Sequence, residues 1–162
     1  MRLMRLALVA FVVLLIGLWF VRFVLPSQVD DVNPLMNCSE EVLDLADVYF
    51  VVPKFGGVAI SGEWCESILS RNKELAMHGV THSFEEFGVV RNEEYFDEGV
   101  DIFWTCFGFE PEKFKPGQLK WNAKNDWIKG EVEVELFWNQ VLHKVYHCGD
   151  SGRFPNWLIR VF

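Results

Sequence analysis

A chain of 162 residues, 51% of them apolar and rich in aromatics with 15 Phe and 7 Trp, suits one domain and is too hydrophobic for disorder. Its net charge of −8 is unevenly placed: Arg2, Arg5 and Arg22 precede Asp30, whereas all 23 acidic residues lie from Asp30 onward. An acidic domain without a basic, aromatic-interleaved stripe makes a poor partner for nucleic acid, and that class is set aside.

Residues 1–25 are expected to form a transmembrane anchor. Leu6 to Val21 is apolar throughout apart from Gly17, close to the length needed to span, and Arg22 can snorkel toward headgroups. Bulky Leu18-Trp19-Phe20, with no small-x-small cleavage site, favours an uncleaved anchor over a signal peptide. Arg2 and Arg5 outnumber Arg22, which predicts a single-pass protein with an inside amino terminus and an extracytoplasmic domain. Residues 26–162 form that domain.

The domain is expected to open with a strand over 24–29, running directly into Asp30-Asp31. Asn37, with Glu40 three residues on, reads as the cap of a short helix ending at Leu45. Val48 to Val52 is a buried strand, stopped by Pro53 and a Gly56-Gly57 turn. Ser61 opens a helix to about Asn72 with Trp64, Ile68 and Leu69 on one face. Glu74 to Met77 is a third strand. Glu93 to Phe107 is the clearest helix: Phe96, Val100, Phe103, Trp104 and Phe107 recur at helical spacing, a core stripe that Gly108 terminates.

Phe114-Lys115-Pro116 reads as a short strand running into a loop. Val132, Val134 and Leu136 alternate with glutamates, as in a half-exposed strand, and Val141 to Tyr146 is a further strand reaching His147. Phe154 to Phe162 docks as a last helix. Strands alternating with helices predict an α/β architecture with a largely parallel sheet.

Cys38, Cys65, Cys106 and Cys148 form no CxxC pair, which argues against a structural zinc knuckle. Outside the cell they allow two bridges in three connectivities; buried free thiols are the alternative. Asn37-Cys38-Ser39 fits a glycosylation sequon.

Chemistry concentrates at three strand ends. His78 and His82, four residues apart with Gly79 between, can reach one metal ion, although the spacing alone also suits ordinary surface or core histidines. A catalytic zinc takes three N/O protein ligands and keeps one position open, and Asp31, His78 and His82 supply such a set. Asp30 is left over to accept a proton and His147 to donate one, the roles that metal-assisted hydrolysis of an acyl bond requires. His143 repeats the four-residue spacing with His147, which lies nearer the mouth. Cys148 beside His147 raises thiol catalysis, but neighbours on a strand point oppositely. Trp121 is a core residue or a sugar-stacking platform. Glu85 and Glu86 read as a solvated face, or as contacts to a ligand histidine.

In order, Val29-Asp30-Asp31-Val32, His78-Gly79-Val80-Thr81-His82, Phe114-Lys115-Pro116 and a late histidine resemble the motifs of polysaccharide deacetylases, the NodB-homology superfamily, nearest its predicted-deacetylase branch. The resemblance runs from about Gln28 to Gly152. It implies a distorted (β/α) barrel that holds Zn2+ or another divalent metal ion and removes acetyl groups from N-acetylated glycan. By position it makes Asp30 the base, Asp31, His78 and His82 the metal ligands, and His147 the acid. Lys115 stands where better-known members carry an arginine that orients the base, and lysine lacks arginine's planar, two-pronged grip. The reading yields about six strands where a full barrel has eight, so a short, incomplete barrel is expected. The alternative is a catalytically inactive, membrane-tethered module that keeps the fold and binds glycan or a protein partner.

Overall fold

The structure is a computed structural model and describes residues 2–162. Six strands form one sheet: β1 (Gln28–Val32), β2 (Val48–Val51), β5 (Glu74–His78), β6 (Lys113–Lys115), β7 (Glu133–Val134) and β8 (Val145–His147). Their order is β7-β6-β5-β2-β1-β8, and every pairing is parallel. A two-stranded antiparallel hairpin, β3 (Lys54–Phe55) with β4 (Val58–Ala59), turns at Gly56-Gly57, where both φ angles are positive.

Period-two alternation sorts the strand side chains into two sets. Val29, Tyr49, Val51, Leu75, Met77, Phe114 and Tyr146 belong to the main core, which they build with Leu43 of α2 (Glu40–Leu45), Ile68 of α3 (Glu63–Leu69) and the aromatics of α4 (Glu93–Phe107). The alternate positions are Gln28 and Asp30, Val48 and Phe50, Ala76 and His78, Lys115, and Val145 and His147. Val48, Phe50 and Ala76 form a small apolar patch among them, and apart from Val145 the rest of this face is polar.

That second face is concave. Gln28 on β1 and Lys115 on β6 are three strand spacings apart, about 14 Å in a flat sheet. Yet Lys115 Nζ donates to Gln28 Oε1 at 2.6 Å, and Gln28 Nε2 donates to Glu135, just past β7, at 2.9 Å. The sheet therefore curls until its polar side chains meet. Its edges, β7 and β8, do not pair with each other, so it is an open curled sheet of six strands rather than a closed barrel.

Several boundaries differ from the sequence reading. Val24 belongs to the long helix α1 (Arg2–Val24), and β1 begins only at Gln28. Ser39, not Asn37, caps α2, its hydroxyl accepting from Val42 N; the Asn37 carbonyl instead accepts from Gly149 N. Val141 and Leu142, taken as the start of a strand, instead end α5 (Phe137–Leu142), and β8 begins only at Val145. Glu135 is buried rather than solvated, because it turns inward to Gln28. Leu69 and Trp104 are exposed, and the buried faces of their helices are Cys65/Ile68 and Phe96/Phe103/Phe107. The helix α4 and its left-handed Gly108 end agree with expectation apart from Trp104; Asn92, which the sequence reading did not single out, caps the helix. The tail docks as α6 (Asn156–Val161).

All four cysteines are bridged, Cys38 to Cys148 and Cys65 to Cys106, so free thiols and thiol chemistry at Cys148 are excluded. The first bridge ties the loop after β1 to the end of β8, and the second ties α3 to α4. With sequence separations of 110 and 41, each removes about 4–5 kcal/mol of loop entropy from the unfolded chain.

α1 has 23 residues, about 34 Å, and is long and apolar enough to cross a membrane. Its last turns lie on the domain. Arg22 does not snorkel to headgroups; it is buried, and Nη1 donates to the carbonyls of Val141 (2.7 Å) and Gln140 (3.3 Å) at the C-terminal end of α5. Trp19 Nε1 donates to Val161 O at 3.2 Å.

Candidate metal centre and its cleft

Asp30 and Asp31 are consecutive on a strand and ought to point apart. A register shift between Val29 and Val32, with Asp31 at φ 66°, twists β1 there and brings both carboxylates to the mouth of the sheet. His78 ends β5, Lys115 ends β6 and His147 ends β8, so all five side chains gather at the C-terminal edge of one parallel sheet.

Asp31 Oδ1 lies 2.9 Å from His82 Nε2 and 3.3 Å from His78 Nε2, and one donor atom from each of the three residues falls within 4.8 Å of the others. The other imidazole nitrogen of His78, Nδ1, is 3.0 Å from the Lys115 carbonyl oxygen. A carbonyl only accepts, so Nδ1 carries the proton and the Nε2 lone pair faces Asp31. Asp31 Oδ2 accepts from the Ser151 hydroxyl at 2.6 Å. Asp31 Oδ1 is left buried with no hydrogen-bond partner among the described residues.

A divalent cation fits this arrangement on two counts. An orphaned carboxylate oxygen faces two imidazole nitrogens, a donor set suited to zinc or a similar ion. Buried carboxylates also outnumber buried cations: Asp30, Asp31, Glu86 and Glu135 stand against Lys115 and against Arg22, which is engaged at α5. Burial raises the Asp31 pKa, but the two imidazoles of His78 and His82 beside it outweigh burial and hold the carboxyl well below its usual range. Burial lowers the His78 pKa, yet Asp30 and Asp31 together push it above the ordinary imidazole value.

Asp30 is held from both sides. Lys115 Nζ donates to its Oδ1 at 2.7 Å, and His147 Nε2 stands 3.8 Å from its Oδ2. Lysine here does not imitate a two-pronged arginine: its donors are shared between Asp30 and Gln28, with Glu135 at 3.9 Å and the Phe50 ring beneath at 3.8 Å. His147 Nδ1 is buried without a partner, and Gly152 packs so closely on the ring that a β-carbon there would overlap it. His143 lies elsewhere, its Nδ1 2.8 Å from the Pro26 carbonyl.

Glu86 organises the histidine loop. Fully buried, its carboxylate accepts from the backbone N–H groups of Val80, Thr81 and His82, from the Thr81 hydroxyl and from the Tyr95 hydroxyl. A side chain on Gly79 would collide with this carboxylate, and Gly79 itself sits at φ 60°. Burial, then the Glu86 bond, push the Tyr95 hydroxyl up to about 12. Glu85 is half-buried and pairs with Lys120, whereas Glu86 is turned fully inward. Trp121 is half-buried, stacked on Phe87 at the edge of the core, its indole N–H donating to Asp126. Sequence reasoning missed the inward roles of Gln28, Glu86 and Glu135, which nothing local to those residues marks.

The five side chains other than Lys115 that crowd this mouth, Asp30, Asp31, His78, His82 and His147, line one end of a cleft of about 1070 Å³.

No model of a known protein family matches the chain, and no curated protein is significantly similar to it in sequence. Among solved structures it is similar to a variant of the peptidoglycan deacetylase PdaC from Bacillus subtilis, with 17% identity and a TM-score of 0.48 over 68% of this chain and 57% of that one. It is also similar to the Xyl-CE4 domain of a multidomain xylanase from the hindgut metagenome of Trinervitermes trinervoides, with 14% identity and a TM-score of 0.41 over 60% and 50%. The chain thus spans little more than half the length of either.

Proposed function

We propose that this chain is a membrane-tethered, metal-dependent deacetylase-like hydrolase that removes acetyl groups from N-acetylated glycan. The carrying observation is the convergence of Asp31, His78 and His82 on one point, with an unpartnered Asp31 oxygen there and Asp30 alongside. Zn2+ or another divalent ion held by those three residues would supply Lewis acidity toward an amide oxygen and toward water.

The chain's own residues supply the proton traffic. Asp30, fixed through Oδ1 by Lys115, takes a proton from the attacking water at Oδ2. His147, 3.8 Å from that oxygen, delivers a proton to the departing nitrogen. The amide C–N bond breaks, water's hydroxyl joins the carbonyl carbon, and acetate and a free amine leave.

The same reading takes α1 as an uncleaved anchor, because cleavage after it would strip the buried Arg22 from the end of α5. Two disulfides suit an extracytoplasmic, oxidising compartment.

The test is acetate release from N-acetylated oligosaccharides by the metal-loaded protein. Asp30→Asn abolishes release while metal remains bound if the reading holds. Binding of glycan without any release of acetate supports the inactive tethered module instead.

A further inference from the structure

The cleft does not end at the metal centre. Its far wall is built by Leu18 and Arg22 of α1, Phe137 and Val141 of α5, and Leu158 and Phe162 of α6. Apart from Arg22 and Gln140 of α5, which also lines the cleft, the side chains that these three helices place there are apolar, although a cleft meant for a soluble glycan calls for polar groups throughout. Arg22 is the one cation on this wall, its Nη1 donating to the α5 carbonyls and its guanidinium 5.6 Å from the Phe162 ring.

The surface around this wall resembles a membrane boundary. Trp138 and Trp157 are 70% and 68% exposed, with Phe137 and Phe154 exposed beside them. From Leu136 to the end the chain carries one acid, Asp150, against Lys144, Arg153 and Arg160, the reverse of the rest of the domain. Leu18 sits one helical turn on the bilayer side of Arg22. The cleft therefore runs from the metal centre to the level at which α1 enters the membrane.

We propose, resting on the deacetylase-like reading above, that the substrate is an N-acetylated sugar carried on a membrane lipid. The sugar lies at the Asp30, His78 and His82 end, and the hydrocarbon chain lies along the apolar wall against α1. The occupant is argued from continuity: the wall is part of the helix that enters the bilayer, and a lipid can slide into it sideways without leaving the membrane.

The experiment uses the full chain in nanodiscs, loaded with Zn2+, and two substrates with the same N-acetylglucosamine headgroup, one on a long prenyl or alkyl chain and one on a methyl group. The lipid-borne sugar should show a kcat/KM at least tenfold higher, mostly through KM. Leu158→Asp and Val141→Asp should collapse that ratio toward one. Equal kcat/KM for both substrates in the unmodified chain overturns the lipid proposal and leaves the deacetylase reading standing. If neither is hydrolysed, the deacetylase reading fails, and binding decides the lipid proposal. Saturable binding of the lipid-borne sugar to Asp30→Asn protein, weakened in Asp30→Asn with Leu158→Asp, upholds the site; no binding removes it.

Discussion

His78 and Lys115 are joined twice over by neighbouring strands: their backbones pair in register, and the His78 ring donates to the Lys115 carbonyl at 3.0 Å. The main chain of Lys115 thus orients His78, the proposed metal ligand, while its side chain orients Asp30, the proposed base. These two duties separate on mutation. Lys115→Met should keep metal affinity within a few-fold but lower acetate release by about 10²-fold or more. It should also destabilise the fold by roughly 3 kcal/mol, since Asp30 and Glu135 lose their buried cation. Metal titration, kinetics and urea unfolding on one preparation check all three.

Glu86 sets the backbone of His82 and lies outside the Asp31, His78 and His82 cluster. Glu86→Gln places an amide N–H against backbone N–H groups that need an acceptor. Metal affinity should fall about 10–100-fold by calorimetric titration. Stability should drop by about 2 kcal/mol. Unchanged affinity would mean that the His78–His82 loop holds its shape unaided.

The two disulfides should behave differently. Cys65→Ala with Cys106→Ala should lower stability by up to about 4 kcal/mol and leave kcat unchanged, because that bridge joins α3 to α4 away from the cleft. Cys38→Ser with Cys148→Ser should cost comparable stability and also lower kcat, because Cys148 follows His147 directly. Kinetics below the melting range of each variant, beside thermal melts, separate the cases.

Alkaline stability should report on Tyr95. Its folded pKa of about 12 lies above the ordinary value of 10.0, so its contribution is complete below about pH 10 and is lost as pH rises toward 12. Tyr95→Phe removes the ionisable group. Urea unfolding between pH 9 and 12 should show a steeper loss in the parent chain than in the variant.

What could be read from the sequence was local. The aromatic stripe of α4 and its terminating Gly108 belong to one helix and announce it. Asp30-Asp31 and His78-x-x-x-His82 are short motifs whose spacing already suggests a ligand set. The rest depends on partners far along the chain. Glu135 looks like the polar member of an alternating strand until Gln28, 107 residues away, receives it. Val141 and Leu142 read as strand because nothing nearby shows that Arg22, 118 or more residues away, docks on the carbonyls of Gln140 and Val141. The bulge that lets two consecutive aspartates face one cleft comes from pairing with β2, not from the Asp-Asp pair itself.

Metal binding to the purified, metal-stripped chain tests the central claim most directly. The account predicts one tightly bound divalent ion per chain, lost or weakened at least 100-fold in each of Asp31→Ala, His78→Ala and His82→Ala, and retained in Asp30→Asn. Failure to bind any divalent ion, or binding that survives all three ligand substitutions, would contradict it.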